Sequence, residues 1–259
     1  MTEHRLNNSE GQNRLTGHIH PLSTAIWNIH KIFFDVGYEV ALGPELEDEW
    51  HNFESLNFPK DHPARDMQDT FWIKHPESKH EIRNTKSETE NKKKLLRTHT
   101  SPVQIRYMEE KLRESIKPPY KVIVPGKVFR NEATDATHEA QFYQVEGLYV
   151  DTHVSLADLK GTLSFFFRKF FGDDVEIRFR PSYFPFTEPS VEVDMKFGGK
   201  WLEMGGAGLV HPNVLKAVNL KEFTGFAFGV GIDRLLMVKY GIPDIRMFYS
   251  GDLRFVNQF

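Results

Sequence analysis

At 259 residues, 39% hydrophobic and 27% charged, the chain has a globular composition and room for one large domain or two small ones. The absence of cysteine excludes disulfide staples and thiolate metal sites, and no run approaches the length of about eighteen apolar residues that a membrane span needs. A formal net charge of −3 excludes bulk attraction to nucleic acid, so such a partner must be met by a local patch or another subunit. The polar start at Met1 lacks a signal-peptide core, and the whole reads as a soluble, cytoplasmic protein.

Residues 1–16 are polar and read as a flexible segment. From Pro21, the residues Leu22, Ala25, Ile26, Ile29, Ile32, Phe33 and Val36 recur at helical spacing, and Gly37 follows as the expected C′ residue. Residues 38–44 then read as a strand stopped by Gly43-Pro44. The stretch 74–94 is charged without periodicity, which predicts an exposed insertion between strands near 70–72 and 95–97. A helix is expected over 101–115, broken by Pro118-Pro119, then strands over 121–132 and 141–150. Ser155 opens a second helix with Asp158 at N3 and Leu159, Leu163, Phe166, Phe167 and Phe170 on its apolar side. Strands near 175–180, 190–197 and 200–205, with a turn at Gly198-Gly199, lead to a last helix from near Val230 to before Gly241. Antiparallel strands flanked by a few helices predict an α+β fold.

Phe129-Arg130-Asn131-Glu132 is the richest segment, followed by His138, Phe142 and Glu146 at intervals of four. Two apart on a strand, Arg130 and Glu132 share a face; after an Ala/Thr/Asp-rich turn, Phe142, Gln144 and Glu146 share one as well. Such a hairpin offers a cation for phosphate, a ring for a base and acids for amines. A surface hairpin laced by cross-strand ion pairs fits the same residues. In Gly229-Val-Gly-Ile-Asp-Arg234, glycines permit close approach of a ligand, and the arginine on the first helical turn can face an anion. A surface helix with a capping arginine fits that segment equally well.

In chain order, Gly37…Pro44, Arg130-x-Glu132 with His138-x3-Phe142-x3-Glu146, and Gly229-x-Gly231-x-Asp233-Arg234 resemble the three signature motifs of class II aminoacyl-tRNA synthetases. The connecting segments narrow the resemblance. Residues 62–71, Leu96-Arg-Thr-His-Thr-Ser101, Phe179-Arg-Pro-Ser-Tyr-Phe-Pro-Phe-Thr-Glu-Pro189, Trp201-Leu-Glu-Met-Gly-Gly-Ala-Gly208 and Thr224-Gly-Phe-Ala-Phe-Gly229 are similar to the bacterial phenylalanyl-tRNA synthetase α subunits, from about Gly17 to Phe259.

That resemblance implies a single catalytic domain over 17–259 with a class II antiparallel sheet. It implies ATP-dependent activation of L-phenylalanine to the adenylate, then transfer to tRNA(Phe). Arg130 is expected at the ATP α-phosphate and the amino-acid carboxylate, and His138 near the outer phosphates. Phe142 is expected to stack on adenine, with Arg234 covering the other face and touching phosphate. His99, Ser101, Glu132, Gln144 and Glu146 would surround the ammonium and carboxylate groups. Phe184 and Phe186 would meet the phenyl ring edge-on, above a floor at Ala227, and Gly205, Gly206 and Gly208 would let the backbone approach the substrate. Glu188 matches a position that shares Mg²⁺ with a β subunit. The implied partners are that subunit, in an (αβ)₂ assembly, and tRNA.

The family's N-terminal coiled-coil arm is missing from the pattern, and Asp233 stands where glutamate is frequent. No anticodon-binding domain follows the third motif, which argues against the single-chain organellar type. Two other readings stay open on the residues alone. One is a non-catalytic paralogue that senses phenylalanine or ATP; the other is an adenylating enzyme that does not charge tRNA.

Overall fold

The computed structural model describes residues 17, 19–66, 69–74 and 93–259. The 1–16 segment and nearly all of the 74–94 insertion therefore lie outside the described residues. In chain order the elements are α1 (Pro21–Phe34), β1 (Glu39–Val40), β2 (Leu46–Asp48), α2 (Glu49–Asn52), β3 (Trp72–Ile73), β4 (Lys94–Leu96), α3 (Ser101–Arg113) and β5 (Tyr120–Phe129). Then come β6 (Gln141–Asp151), α4 (Leu156–Phe171), β7 (Glu176–Phe184), β8 (Thr187–Phe197), β9 (Lys200–Val210), α5 (Pro212–Ala217), β10 (Thr224–Gly231), α6 (Ile232–Tyr240) and α7 (Leu253–Val256).

A seven-stranded sheet runs in the order β1-β5-β6-β10-β9-β8-β7, with a small sheet β2-β4-β3 beside it. All pairings in the large sheet are antiparallel except β1 with β5, where Glu39 and Val40 lie parallel to Val122 and Ile123. The α+β fold follows the expected pattern, with that one parallel edge added.

Local chemistry sets the helix ends. Pro21 occupies the first turn of α1, and the His20 ring accepts the Leu22 N–H. The helix stops at Asp35, so Gly37, at φ +82°, stands one residue beyond the C′ position expected of it. Ser155 and Asp158 form a reciprocal capping box on α4.

Several strand ends differ from expectation. The strand expected over 38–44 pairs only at Glu39–Val40, and the carbonyls of Gly43 and Pro44 are taken instead by the Arg97 guanidinium at 3.2 and 3.4 Å. β5 ends at Phe129, so Arg130 and Glu132 lie past the ladder and do not share a strand face. The hairpin beyond them is longer than six residues, because the Arg130 N–H closes on the Ala140 carbonyl at 3.0 Å. β7, β8 and β9 run further than expected, the apolar and glycine-rich ends of each finding partners in the next.

One apolar cluster joins α1, α4 and α6 to the sheet through Phe33, Phe166, Phe226 and Phe228, with Phe33 stacked on Phe166 and Phe228 at centroid separations of 5.1 and 5.6 Å. A second cluster joins α3 and α5 to the sheet through Ile105, Met108, Leu148, Val210 and Val214. Between the α3–α5 side and the strands β6, β9 and β10 lies a cavity.

Candidate active site

The cavity measures about 470 Å³ and has two chemically distinct ends. Period-2 alternation along β6 sends Phe142, Gln144, Glu146 and Leu148 into it, as the sequence led one to expect. From β10 come Ala227, Gly229 and Gly231, and from β9 Gly205 and Gly206. His99 and Ser101 enter from the loop before α3 and its first turn. Arg130 and Glu132 still line the mouth although they stand past the end of β5.

The polar end centres on Glu146, which is 5% exposed. One carboxylate oxygen accepts the Thr100 N–H at 2.9 Å; the other accepts from the Ser101 hydroxyl in a short hydrogen bond and from Gln104 Nε2 at 3.3 Å. Burial raises the acid above the usual carboxylate range, against the lowering effect of the Ser101 and Thr100 hydrogen bonds. All three donors are neutral, and among the described residues no cation forms an ion pair with it. Beside it, the side-chain oxygen of Gln144 is buried without a partner among the described residues.

His99 has both ring nitrogens buried with no hydrogen-bond partner among the described residues. Burial first, and then the positive charge of Arg130, push the ring down to about 3, outweighing a nearby Asn52 backbone group that favours protonation. The imidazole is therefore neutral at ordinary pH. It lies parallel to Phe58 at 5.8 Å and beside Phe186 at 6.2 Å.

Arg130 is anchored by its Nε donating to the Thr98 carbonyl at 3.3 Å, with Glu132 at 4.0 Å. Its guanidinium carbon sits 5.1 Å from the centroid of the Phe142 ring. Although 41% of the side chain is accessible, crowding lowers its basicity while Glu132 and Glu146 oppose the change, and a guanidinium keeps its charge throughout.

The apolar end is built from Leu56, Ile105, Met108, Leu148, Val210 and Val214, with Ala227 on the β10 wall. Phe184 and Phe186 flank it with their rings nearly parallel, 5.8 Å apart at 17°. Gly206 has a definite packing reason, since a Cβ there would lie 2.6 Å from Phe184 Cζ. Gly208 corrects the expectation placed on it. It does not line the cavity, and a Cβ on it would collide with the Pro189 carbonyl and the Thr187 side chain, so its smallness serves strand packing.

Three further expected residues stand away from the cavity wall. His138 is exposed and held within its own loop by the Asp135 carboxylate, 3.1 Å from Nδ1. Arg234 sits half-buried on the first turn of α6, immediately after Asp233 and three residues after Gly231, which does line the cavity. Glu188 is exposed, with His211 Nε2 at 3.3 Å. A lone exposed carboxylate suits one ligand position of Mg²⁺, which completes its shell with water and phosphate oxygens. The one three-residue group with metal-ligand chemistry among the described residues is Glu47, Asp48 and His51, outside the cavity, and Arg106 already holds Glu47 at 2.8 and 2.5 Å.

Sequence reasoning missed Gln104, Thr100 and Thr98, which hold Glu146 and Arg130, and the apolar floor from α3 and α5. The helical spacing of Ser101, Gln104, Ile105 and Met108 was the available signal for most of that set.

Residues 6–259 match the family model described as tRNA synthetases class II core domain (F). Over 257 aligned residues the chain is 50% identical to the phenylalanine–tRNA ligase α subunit of Herminiimonas arsenicoxydans, covering 96% of this chain and 71% of that one. The α subunit of the same ligase from Dehalococcoides mccartyi is 52% identical, with 94% and 70% covered. The chain belongs to the phenylalanine–tRNA ligase α-subunit family. Pyrrolysyl-tRNA synthetase from Desulfitobacterium hafniense shares the fold of this family member, with a TM-score of 0.68 over 90% of this chain and 74% of that one at 16% identity. On this class II core, Phe142, Gln144 and Glu146 of the second motif segment and Gly229 and Gly231 of the third line the same cavity.

Proposed function

We propose that this chain is the catalytic α subunit of phenylalanine–tRNA ligase, activating L-phenylalanine with ATP and passing the acyl group to tRNA. The observation that carries the reading at the level of the site is the cavity itself. It joins a buried carboxylate held only by neutral donors to an apolar end walled by Phe184, Phe186 and Ala227, the shape and charge pattern of a phenylalanine zwitterion.

In this reading the substrate ammonium meets Glu146 and the free oxygen of Gln144, and Ser101 and neutral His99 complete the polar wall. The substrate carboxylate lies toward Arg130. A carboxylate oxygen attacks the α-phosphorus in line, the bond to the bridging oxygen of pyrophosphate breaks, and pyrophosphate leaves with that electron pair. Arg130 neutralises charge growing on the α-phosphate oxygens, and its position beside Phe142 puts cation and base platform together. Arg234 and His138 serve the phosphates and the far face of the base. A terminal ribose hydroxyl of tRNA then attacks the acyl carbon and AMP departs. Neither step needs a covalent enzyme intermediate.

Mg²⁺, where bound, supplies charge neutralisation at phosphate oxygens, and Glu188 is the residue of this chain that would hold it, together with a β subunit. The same reading has the α chain working with that β subunit, as the subunit name of its relatives implies, in an (αβ)₂ assembly. Phenylalanine-dependent pyrophosphate exchange, measured with the β subunit present, tests the proposal. Exchange by the wild type that collapses in Arg130→Ala supports it; exchange stimulated equally by other amino acids, or absent, refutes it.

A further inference from the structure

The stretch after α6 carries no motif, yet it touches the nucleotide side of the site at two separate places. The Ile245 N–H donates to the Ala136 carbonyl at 2.9 Å, inside the loop between β5 and β6. The Tyr249 hydroxyl donates to one oxygen of Asp233 at 2.5 Å, and the other oxygen accepts the Tyr143 N–H at 2.7 Å. Tyr143 is the residue between Phe142 and Gln144, and Asp233 immediately precedes Arg234. One carboxylate thus ties together the strand bearing the ring and the helix bearing the arginine.

Asp233 is 1% exposed, so water cannot replace a lost donor. Burial raises its affinity for a proton, and the Tyr249 hydroxyl and the Tyr143 N–H work against that by stabilising the anion. The segment that delivers Tyr249 is itself fixed. Ile245 and Phe248 are buried in the α1–α4–α6 cluster, and the Phe248 carbonyl meets His20 Nε2 at 3.0 Å. Among the described residues, Glu146 is held by Thr100, Ser101 and Gln104, and no hydrogen bond of the 244–249 segment reaches it.

We propose that the 244–249 segment is a positioning strap for the ATP half of the site, with Tyr249 as the positioning residue. Acting through Asp233, Tyr249 fixes the mutual placement of Phe142 and Arg234; Ile245, through Ala136, fixes the loop that carries His138. This rests on the reading of Phe142, His138 and Arg234 as ATP contacts. The strap predicts an asymmetric defect, because the amino-acid half is held by a different set of bonds from α3.

The test is steady-state pyrophosphate exchange by the α chain purified with its β subunit. Tyr249→Phe removes one hydroxyl and keeps the ring, and it should raise the KM for ATP about tenfold, the loss of one hydrogen bond to a buried charge. The KM for phenylalanine should stay within about twofold, since no strap bond reaches its subsite. Asp233→Asn, which keeps an acceptor for Tyr143, should move the ATP KM in the same direction by less. Arg254→Ala, in an exposed residue paired with Asp252 two positions away, should leave both KM values unchanged. An active wild type whose Tyr249→Phe variant keeps its ATP KM, or raises both KM values together, overturns the strap. A wild type without phenylalanine-dependent exchange would instead overturn the functional reading beneath it.

Discussion

Glu146 and Asp194 are both buried carboxylates on the same sheet, at 5% and 2% exposure, and the chain treats them in opposite ways. Asp194 on β8 receives Arg178 Nε at 2.9 Å and Arg180 Nε at 2.6 Å, with a second Arg180 nitrogen at 3.0 Å. Those hydrogen bonds, that of Arg180 foremost, hold its carboxyl below the usual range. Glu146 receives only a hydroxyl, an amide and a backbone N–H, and burial drives it the other way. A buried anion whose cation comes from the same chain is a finished structural joint. One given only neutral donors is fixed in place while its charge stays available to an incoming cation. That contrast separates the ammonium subsite from the scaffold more sharply than burial or hydrogen-bond number does.

The strongest way to break the account lies at Arg130. Replacing it with alanine removes the cation at the reacting phosphate, and phenylalanine-dependent exchange should fall by about 10³-fold. A variant within about tenfold of wild type would place the reacting phosphate elsewhere. Next in size is the Asp194 side of the comparison. Asp194→Asn should lower stability by about 2 kcal/mol, discounted because both arginines are more than a third exposed, and lower Tm by about 5 °C. Its KM for phenylalanine should not move, and a raised KM would erase the distinction between joint and subsite.

Ala227→Gly should open the apolar end and raise the discrimination ratio kcat/KM for a para-substituted phenylalanine over phenylalanine by about tenfold. An unchanged ratio would show that the limit is set lower, by Met108 or Val214, which line the same end. A pH-dependent effect on stability is expected at His99. The unfolded ring titrates near 6.5 and the folded one at about 3, so between those values the unfolded chain binds more protons. Stability contributed by the neutral ring is present above 6.5 and lost as pH falls toward 3, at no more than about 1.4 kcal/mol per unit. Urea unfolding between pH 7 and pH 4 should therefore be less pH-sensitive in His99→Asn. Equal slopes would mean that the ring protonates in the folded protein.

The elements with strong periodicity were legible in the sequence, as was the β6 face. Leu159, Leu163, Phe166, Phe167 and Phe170 mark α4, and Phe142, Gln144 and Glu146 alternate into one cavity. What was not legible depends on contacts between distant residues. β5 ends at Phe129 although the Arg130 N–H still reaches the Ala140 carbonyl, and Arg97, over fifty residues away, takes the carbonyls of Gly43 and Pro44 past the end of β1. Gly208 looked like its neighbours in Gly205-Gly206-x-Gly208, and only the position of Pro189 on the adjacent strand gives it a packing role. Gln104 carried no motif at all, and its meaning comes entirely from the acid it meets on β6.

The most direct measurement is the KM for phenylalanine of Glu146→Gln in pyrophosphate exchange, with the β subunit present. Glutamine keeps the volume and an acceptor but removes a charge that forms no ion pair among the described residues. The KM for phenylalanine should rise about 100-fold while that for ATP stays within about twofold. An unchanged phenylalanine KM would contradict the account, because Glu146 would then be a structural joint of the same kind as Asp194.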